Sequence, residues 1–378
     1  MAYLPAVLWS LWVFAVGLGV GSFLNVLIAR LPYEKSPVWP GSRCFACLRR
    51  LRWYDNLPVI GYLTLGGRCR YCQAPFSARY LWVEVGTAVA FVGLFWVEVL
   101  SQADGLGLAP WFNTPGLRFG YYASAGSPPL KVWVYFALHA FLLSLLIASA
   151  VIDAGHRIIP HQLTYPGTLV GLLASTLLPW PWPSLDPTTL GRLPLGAGWE
   201  DFWTNPANLG RIPTGLTLWP FWAPPDWAPP GSWQLGLLNG LVGAAAGTFL
   251  VRGFKFLFEV GFGQEALGLG DADLLMMAGA FLGWPVAVLG FFAGAVVSVL
   301  TVLPLKAFDW WRGRAVEREL SFGPGLAAGV ALVWVGWPWV APRVQLFYDL
   351  TLLVMVTVFM GGGLLVAGLL LRRKPAGA

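Results

Sequence analysis

Charge is scarce in this chain: 11% of its 378 residues are Asp, Glu, Lys or Arg, against 57% hydrophobic, and its mean hydropathy is +0.65. So little charge excludes an ordinary soluble domain of this size and makes lipid the main solvent. No internal repeat and no simple low-complexity tract is visible. No basic residue precedes the first apolar run, and Gly21-Ser22-Phe23-Leu24-Asn25 lies deep within its continuation. We therefore expect a retained membrane helix there, not a cleaved signal.

What is present is a series of apolar runs. A helix needs roughly 20 mostly apolar residues to cross the hydrocarbon core. Candidates lie near 5–30, 80–100, 131–152, 162–180, 233–252, 285–305, 321–341 and 350–371. A shorter run at 272–283, closed by Gly283-Trp284-Pro285, reads as a half-span or a hairpin arm. The expected fold is an all-α polytopic membrane protein with eight or nine crossings.

Lys and Arg mark cytoplasmic loops. Residues 31–79 carry eight of them against Glu34 and Asp55, and 306–320 and the tail Arg372-Arg373-Lys374 are basic again. Loops 101–130 and 181–232 carry few. The N-terminus is then outside and the C-terminus inside the cytoplasmic membrane, which favours nine crossings. The same rule accounts for the net charge of +6 without nucleic acid as a partner.

The expected organisation is a first membrane helix (1–30), a cytoplasmic cysteine-bearing domain (31–79) and the remaining membrane helices (80–378). Within the last, 179–232 is dense in Pro and Trp. Proline at that density precludes regular helix, and tryptophan favours the membrane interface, so we expect an extended outer loop.

All four cysteines fall in the inner loop, as Cys44-x2-Cys47 and Cys69-x2-Cys72 with 21 residues between the pairs. Two such pairs can set four thiolates tetrahedrally around zinc, and a loop of this size is too small for a good core without a staple. Cytoplasmic thiols are kept reduced, which argues against two disulfides. Four sulfurs leave no open position for water, so the zinc reads as structural.

Charged side chains at membrane depth are functional candidates. Asp153 closes the run 131–152, and Asp271 opens another in Gly268-Leu269-Gly270-Asp271. The charge pattern puts both at the cytoplasmic face. A facing carboxylate pair is what an aspartyl protease needs: one activates water, the other protonates the scissile carbonyl, and mutual repulsion lets them share a proton. Taken alone, Asp271 is more often a helix cap and Asp153 a simple interfacial charge. A proton-relay transporter would use the same pair, but it predicts repeat symmetry and interrupted mid-membrane helices, neither of which is seen. A non-enzymatic assembly factor using only the zinc domain is a third reading. His139 reads as a hydrogen-bonded core residue and His156 and His161 as interfacial, while Ser144 and Ser149 lack the surroundings of a nucleophile.

These residues together resemble the bifunctional prepilin leader peptidase and N-methyltransferase family of type IV pilus and type II secretion systems. Gly21 to Pro32 resembles its first-helix signature. The cysteine pairs, with Leu51-Arg52-Trp53-Tyr54-Asp55-Asn56-Leu57-Pro58 between them, resemble its cytoplasmic domain, and Ser77, Arg79, Tyr80 and Glu84 continue the pattern. Asp153 with Ile159-Pro160 and Leu163-Thr164, then Glu265 to Asp271, resemble its two catalytic blocks in order. The resemblance implies GxGD-type aspartyl proteolysis by Asp153 and Asp271 after the glycine of a prepilin or pseudopilin leader. The substrate would have a basic leader and an apolar N-terminal helix. It also implies methylation of the new N-terminal residue, usually Phe, by S-adenosylmethionine, with the zinc loop in the methylating half. Glu34 is a candidate for that half, or a solvated loop charge. The chain departs from the pattern at Asp273, where the family usually has a basic residue. Two helical positions turn roughly 200°, so Asp273 points away from Asp271.

Overall fold

The computed structural model describes residues 4–100, 130–178, 227–228, 232–263, 267–312 and 321–340, with scattered helical positions between 355 and 366. Apart from Trp227, Ala228 and Ser232, the Pro/Trp-rich segment lies outside the described residues, as do most of the last apolar run and the basic tail.

Helices dominate: α1 (Leu4–Arg30), α2 (Ile60–Thr64), α3 (Arg79–Phe95), α4 (Leu130–His156), α5 (His161–Leu177), α6 (Trp233–Phe262), α7 (Leu269–Trp311), α8 (Gly323–Val335) and α9 (Trp337–Val340). Among the described residues there is no strand beyond two isolated bridges. Among the described residues, five helices are long and apolar enough to cross a membrane, α7 being counted with both its arms. They cover the expected runs at 5–30, 80–100, 131–152 and 233–252 and, in α7, the two runs on either side of Gly283. The runs at 162–180 and 321–341 form the shorter α5 and α8. Large apolar side chains stand exposed at helical spacing, as at Leu169, Leu173 and Leu177, which suits a lipid-facing surface.

The run 272–283 is the short arm expected of it: two helical arms of α7 meet at a kink at Gly283, whose φ of 79° and ψ of 171° are open to glycine alone. The second arm turns back along α6, for Gly247 meets Leu275 and Asn239 meets Gly283, yet Phe254 meets Phe291 at 5.1 Å. Pro285 needs no N–H donor at the start of that second arm.

The chain divides into two compact units, Met1–Leu163 and Thr164–Ala378. In the first, α1 packs on α3 through small residues one turn apart: a Cβ on Gly17 would lie 2.6 Å from the Ala88 Cα, and one on Gly21 would lie 2.7 Å from the Glu84 Cα. Such close approach is how helices associate where lipid removes the hydrophobic driving force. A buried pair, His139 Nδ1 to Glu98 Oε1 at 2.6 Å, ties α4 to the π-helical turn Trp96–Leu100 that follows α3. Trp9, Trp12 and Trp133 cluster at the far end of α1 from the cysteine loop, as an interfacial aromatic group would.

In the second unit, α6 lies along α7. Ser232 caps α6 by accepting the Leu235 N–H, and Gly263 ends it with φ of 69°. A Cβ on Gly243 would meet the Gly279 carbonyl at 2.1 Å, and one on Gly247 the Leu275 carbonyl at 2.4 Å. Asp271, Leu275 and Gly279 are four residues apart, so the seam that α6 covers is the ridge on which Asp271 stands.

Candidate functional site

The two cysteine pairs fold alike. In the first, the Cys44 N–H donates to the Arg49 carbonyl and the Leu48 N–H to the Cys44 carbonyl; in the second, Cys69 donates to Ala74 and Gln73 to Cys69. Leu48 and Gln73 occupy equivalent left-handed positions, φ 56° and 57°. Each pair is thus a tight knuckle whose sulfurs project to one side.

The knuckles meet. All four Sγ atoms lie within 4.8 Å of one another, with Cys44 to Cys72 at 3.7 Å and Cys47 to Cys69 at 4.0 Å. These are too long for disulfides, whose S–S bond is about 2.05 Å. A tetrahedron with metal–sulfur bonds of about 2.3 Å has edges of about 3.8 Å, so the donor set fits a four-thiolate metal. Backbone N–H groups of Cys72 and Tyr71 pull the Cys69 thiol down to about 7. Cys72 ends near 11: the Ala74 N–H pulls it down, but desolvation and the neighbouring sulfurs push it up further. A metal ion bound by the four sulfurs would displace the thiol protons that remain.

Asp55 braces this loop. Its side chain is fully buried, and Arg70, beside Cys69, clasps it with Nη2 at 2.6 Å and Nε at 3.0 Å from Oδ1. The Arg70 hydrogen bonds hold the Asp55 carboxyl below its ordinary range against the opposing effect of desolvation.

Asp153 is buried one turn before the end of α4, which stops where Arg157 turns left-handed (φ 57°) and donates its N–H to the Asp153 carbonyl at 2.8 Å. Asp271, also buried, sits in the first turn of α7, and its Oδ2 accepts the Gly268 N–H at 3.3 Å. That is the reaching-back half of a capping box. Capping engages Oδ2 and leaves the carboxyl's second oxygen outside that bond, so it does not exclude chemistry at Asp271. Asp273 is half-buried, while Asp271 and Ala272 are buried. Asp153 belongs to the first compact unit and Asp271 to the second.

Of the other candidates, His139 is a buried, paired residue, and His156 packs against the Tyr33 ring. His161 is exposed, and Ser144 returns its hydroxyl to the Ala140 carbonyl. Glu34 is exposed, in a left-handed position after the turn Leu31–Tyr33.

The structure adds a cavity of about 230 Å³ between α1, the cysteine loop and the start of α3, for which the sequence supplied no role. Ser22, Asn25, Val26 and Ala29 line one side at helical spacing; Glu84 and Tyr80 line another. The signal available was Asn25 and Glu84, polar residues on otherwise apolar helices.

A family model described as the bacterial peptidase A24 N-terminal domain matches residues 15–98. The prepilin leader peptidase/N-methyltransferase of Myxococcus xanthus strain DK1622 is 30% identical over 351 residues, covering 91% of this chain and 76% of that protein. Relatives of the same name include one from Pseudomonas aeruginosa, 28% identical over 84% of this chain, and one from Klebsiella pneumoniae, 29% identical over 73%. No solved structure matches.

Proposed function

The chain belongs to the prepilin leader peptidase/N-methyltransferase family, and from that premise we propose how its residues divide the two reactions that the name contains. The chain is an enzyme that removes the leader from prepilins and methylates the N-terminus so exposed. Asp153 and Asp271 carry the proteolysis. One carboxylate takes a proton from water as the oxygen attacks the scissile carbonyl, and the other, protonated, supplies a proton to the carbonyl oxygen. Collapse of the diol then breaks the C–N bond, and the amine leaves with a proton. No acyl-enzyme forms. The observation that carries this reading is the pair of buried carboxylates at the ends of two apolar helices, α4 and the first arm of α7, in the order and setting of the family's catalytic blocks.

The charge pattern supports an N-terminus outside and a C-terminus inside the bacterial inner membrane, which sets both helix ends at the cytoplasmic face. A prepilin whose mature N-terminus is an apolar helix docks there from the bilayer, leaving its basic leader in the cytoplasm. Zinc is held by Cys44, Cys47, Cys69 and Cys72, and when bound it fastens the two knuckles without entering the chemistry. S-adenosylmethionine supplies the methyl group, and residues 31–79 form the methylating half with the adjoining helices.

The test is incubation of the purified chain with a prepilin, with and without S-adenosylmethionine, followed by mass spectrometry of the product. The expected result is loss of the leader in both cases and the added mass of one methyl group only with the donor. An intact prepilin overturns the peptidase reading. A cleaved but unmethylated product with the donor present overturns the methylating one.

A further inference from the structure

The cavity between α1, the cysteine loop and α3 lies wholly within the first compact unit and holds an unusual carboxylate. Glu84 is 8% exposed, and its Oε2 accepts the Val59 N–H at 2.7 Å, with Ser22 and Asn25 hydrogen-bonding the same carboxyl. All of these donors are neutral, and no cation among the described residues pairs with it. The cavity's other acid, Asp55, is already neutralised by Arg70. A buried carboxylate with neutral partners facing a cavity is a place for a cationic ligand.

The rest of the lining narrows the class. Phe45, in edge contact with Phe76, offers an aromatic wall, and both line the cavity. Arg30, which ends α1 and donates to the Ser36 carbonyl, and Arg43 of the loop also line it, cations suited to a ligand's carboxylate. The loop over the cavity is strained: Val59 has φ of 60° and ψ of −51°, inside a γ-turn closed from Ile60 N–H to the Pro58 carbonyl. Glu84 is what holds that turn by its N–H. Strain of this kind persists where surrounding structure fixes it, typically at ligand clamps.

We propose that this cavity binds S-adenosylmethionine, with Glu84 as the anion that meets the sulfonium; the proposal rests on the methylation reading above. The transfer it serves is balanced. The neutral N-terminal nitrogen of the cleaved product forms the new N–C bond as the C–S bond breaks. The C–S pair stays on sulfur, which becomes a neutral thioether, and the surplus proton on nitrogen leaves to water.

The experiment measures binding of S-adenosylmethionine and of its uncharged product, S-adenosylhomocysteine, to the full chain in detergent. Glu84→Gln keeps an oxygen for the Val59 N–H and removes the charge. It should weaken the donor about tenfold to a hundredfold while changing the product far less. Equal weakening of both, or of neither, overturns the assignment. Ala29→Phe, which fills the cavity, should abolish binding of both while metal content stays that of the unsubstituted chain; retained binding overturns it. Ultraviolet cross-linking of radiolabelled donor to the unsubstituted chain should label peptides within 22–84. Labelling elsewhere by a chain that methylates refutes the site alone, whereas a chain that neither binds the donor nor methylates refutes the methylation reading and the site with it.

Discussion

Substituting Gly279 by Ala should damage both the stability of the second unit and its chemistry, although alanine is the better helix former. The new Cβ would lie 2.1 Å from the Gly243 carbonyl oxygen, a backbone atom that cannot swing aside. Ordinary contact requires α6 and α7 to separate by about 1 Å, and a gap of that size forfeits a quarter to a half of the dispersion well at each contact along the seam. The overpacking cost is about 1–3 kcal/mol. Intrinsic propensity returns about 1 kcal/mol of this. Gly253→Ala is the matched control, because a Cβ there meets nothing within 4 Å. It should leave stability unchanged or raise it by up to about 1 kcal/mol. Thermal unfolding of the detergent-solubilised chain, followed by tryptophan fluorescence, gives the comparison. Leader cleavage gives a second readout, since Asp271 shares the ridge with Gly279. If Gly279→Ala melts with Gly253→Ala and cleaves at the normal rate, the close α6–α7 seam is wrong.

The cysteine site and its brace give two further expectations. Cys44→Ser removes a buried ligand, so elemental analysis should find the chain without its equivalent of zinc and limited proteolysis should open residues 31–79; zinc retained at full stoichiometry contradicts the four-thiolate assignment. Asp55, whose carboxyl lies below its ordinary value because of Arg70, contributes stability that is fully present above about pH 4 and lost as pH falls through the lowered value. Asp55→Asn should therefore flatten that part of the loop's acid limb in proteolysis against pH and leave the part due to thiol protonation; an unchanged acid limb rules the brace out.

The membrane helices could be read because lipid demands long uninterrupted apolar runs, and four of the runs reappear as α1, α3, α4 and α6. Gly283-Trp284-Pro285 was legible as a break because glycine and proline together signal a turn: Gly283 takes a backbone conformation open to glycine alone, and Pro285 sits at the start of the second arm, where no N–H is required. The cysteine spacing announced the knuckles, but not that Leu48 and Gln73 would take left-handed backbone, since neither residue type favours it. The cavity was out of reach, because it exists only when α1 residues 22–30 meet loop residues 42–65 and the segment 76–84. Asn25 and Glu84 were visible as polar residues on apolar helices, but the turn at Val59 that Glu84 holds depends on tertiary contact.

The most direct test of the central claim is the initial rate of leader cleavage by Asp153→Asn and Asp271→Asn, each in the full chain and each checked for unchanged metal content and melting temperature. Asparagine keeps the shape and the capping oxygen that accepts the Gly268 N–H, so folding should survive. Loss of a group that moves a proton in the transition state should lower the rate on the order of 10²–10⁴-fold for either variant. Cleavage at the normal rate by either one would contradict the account.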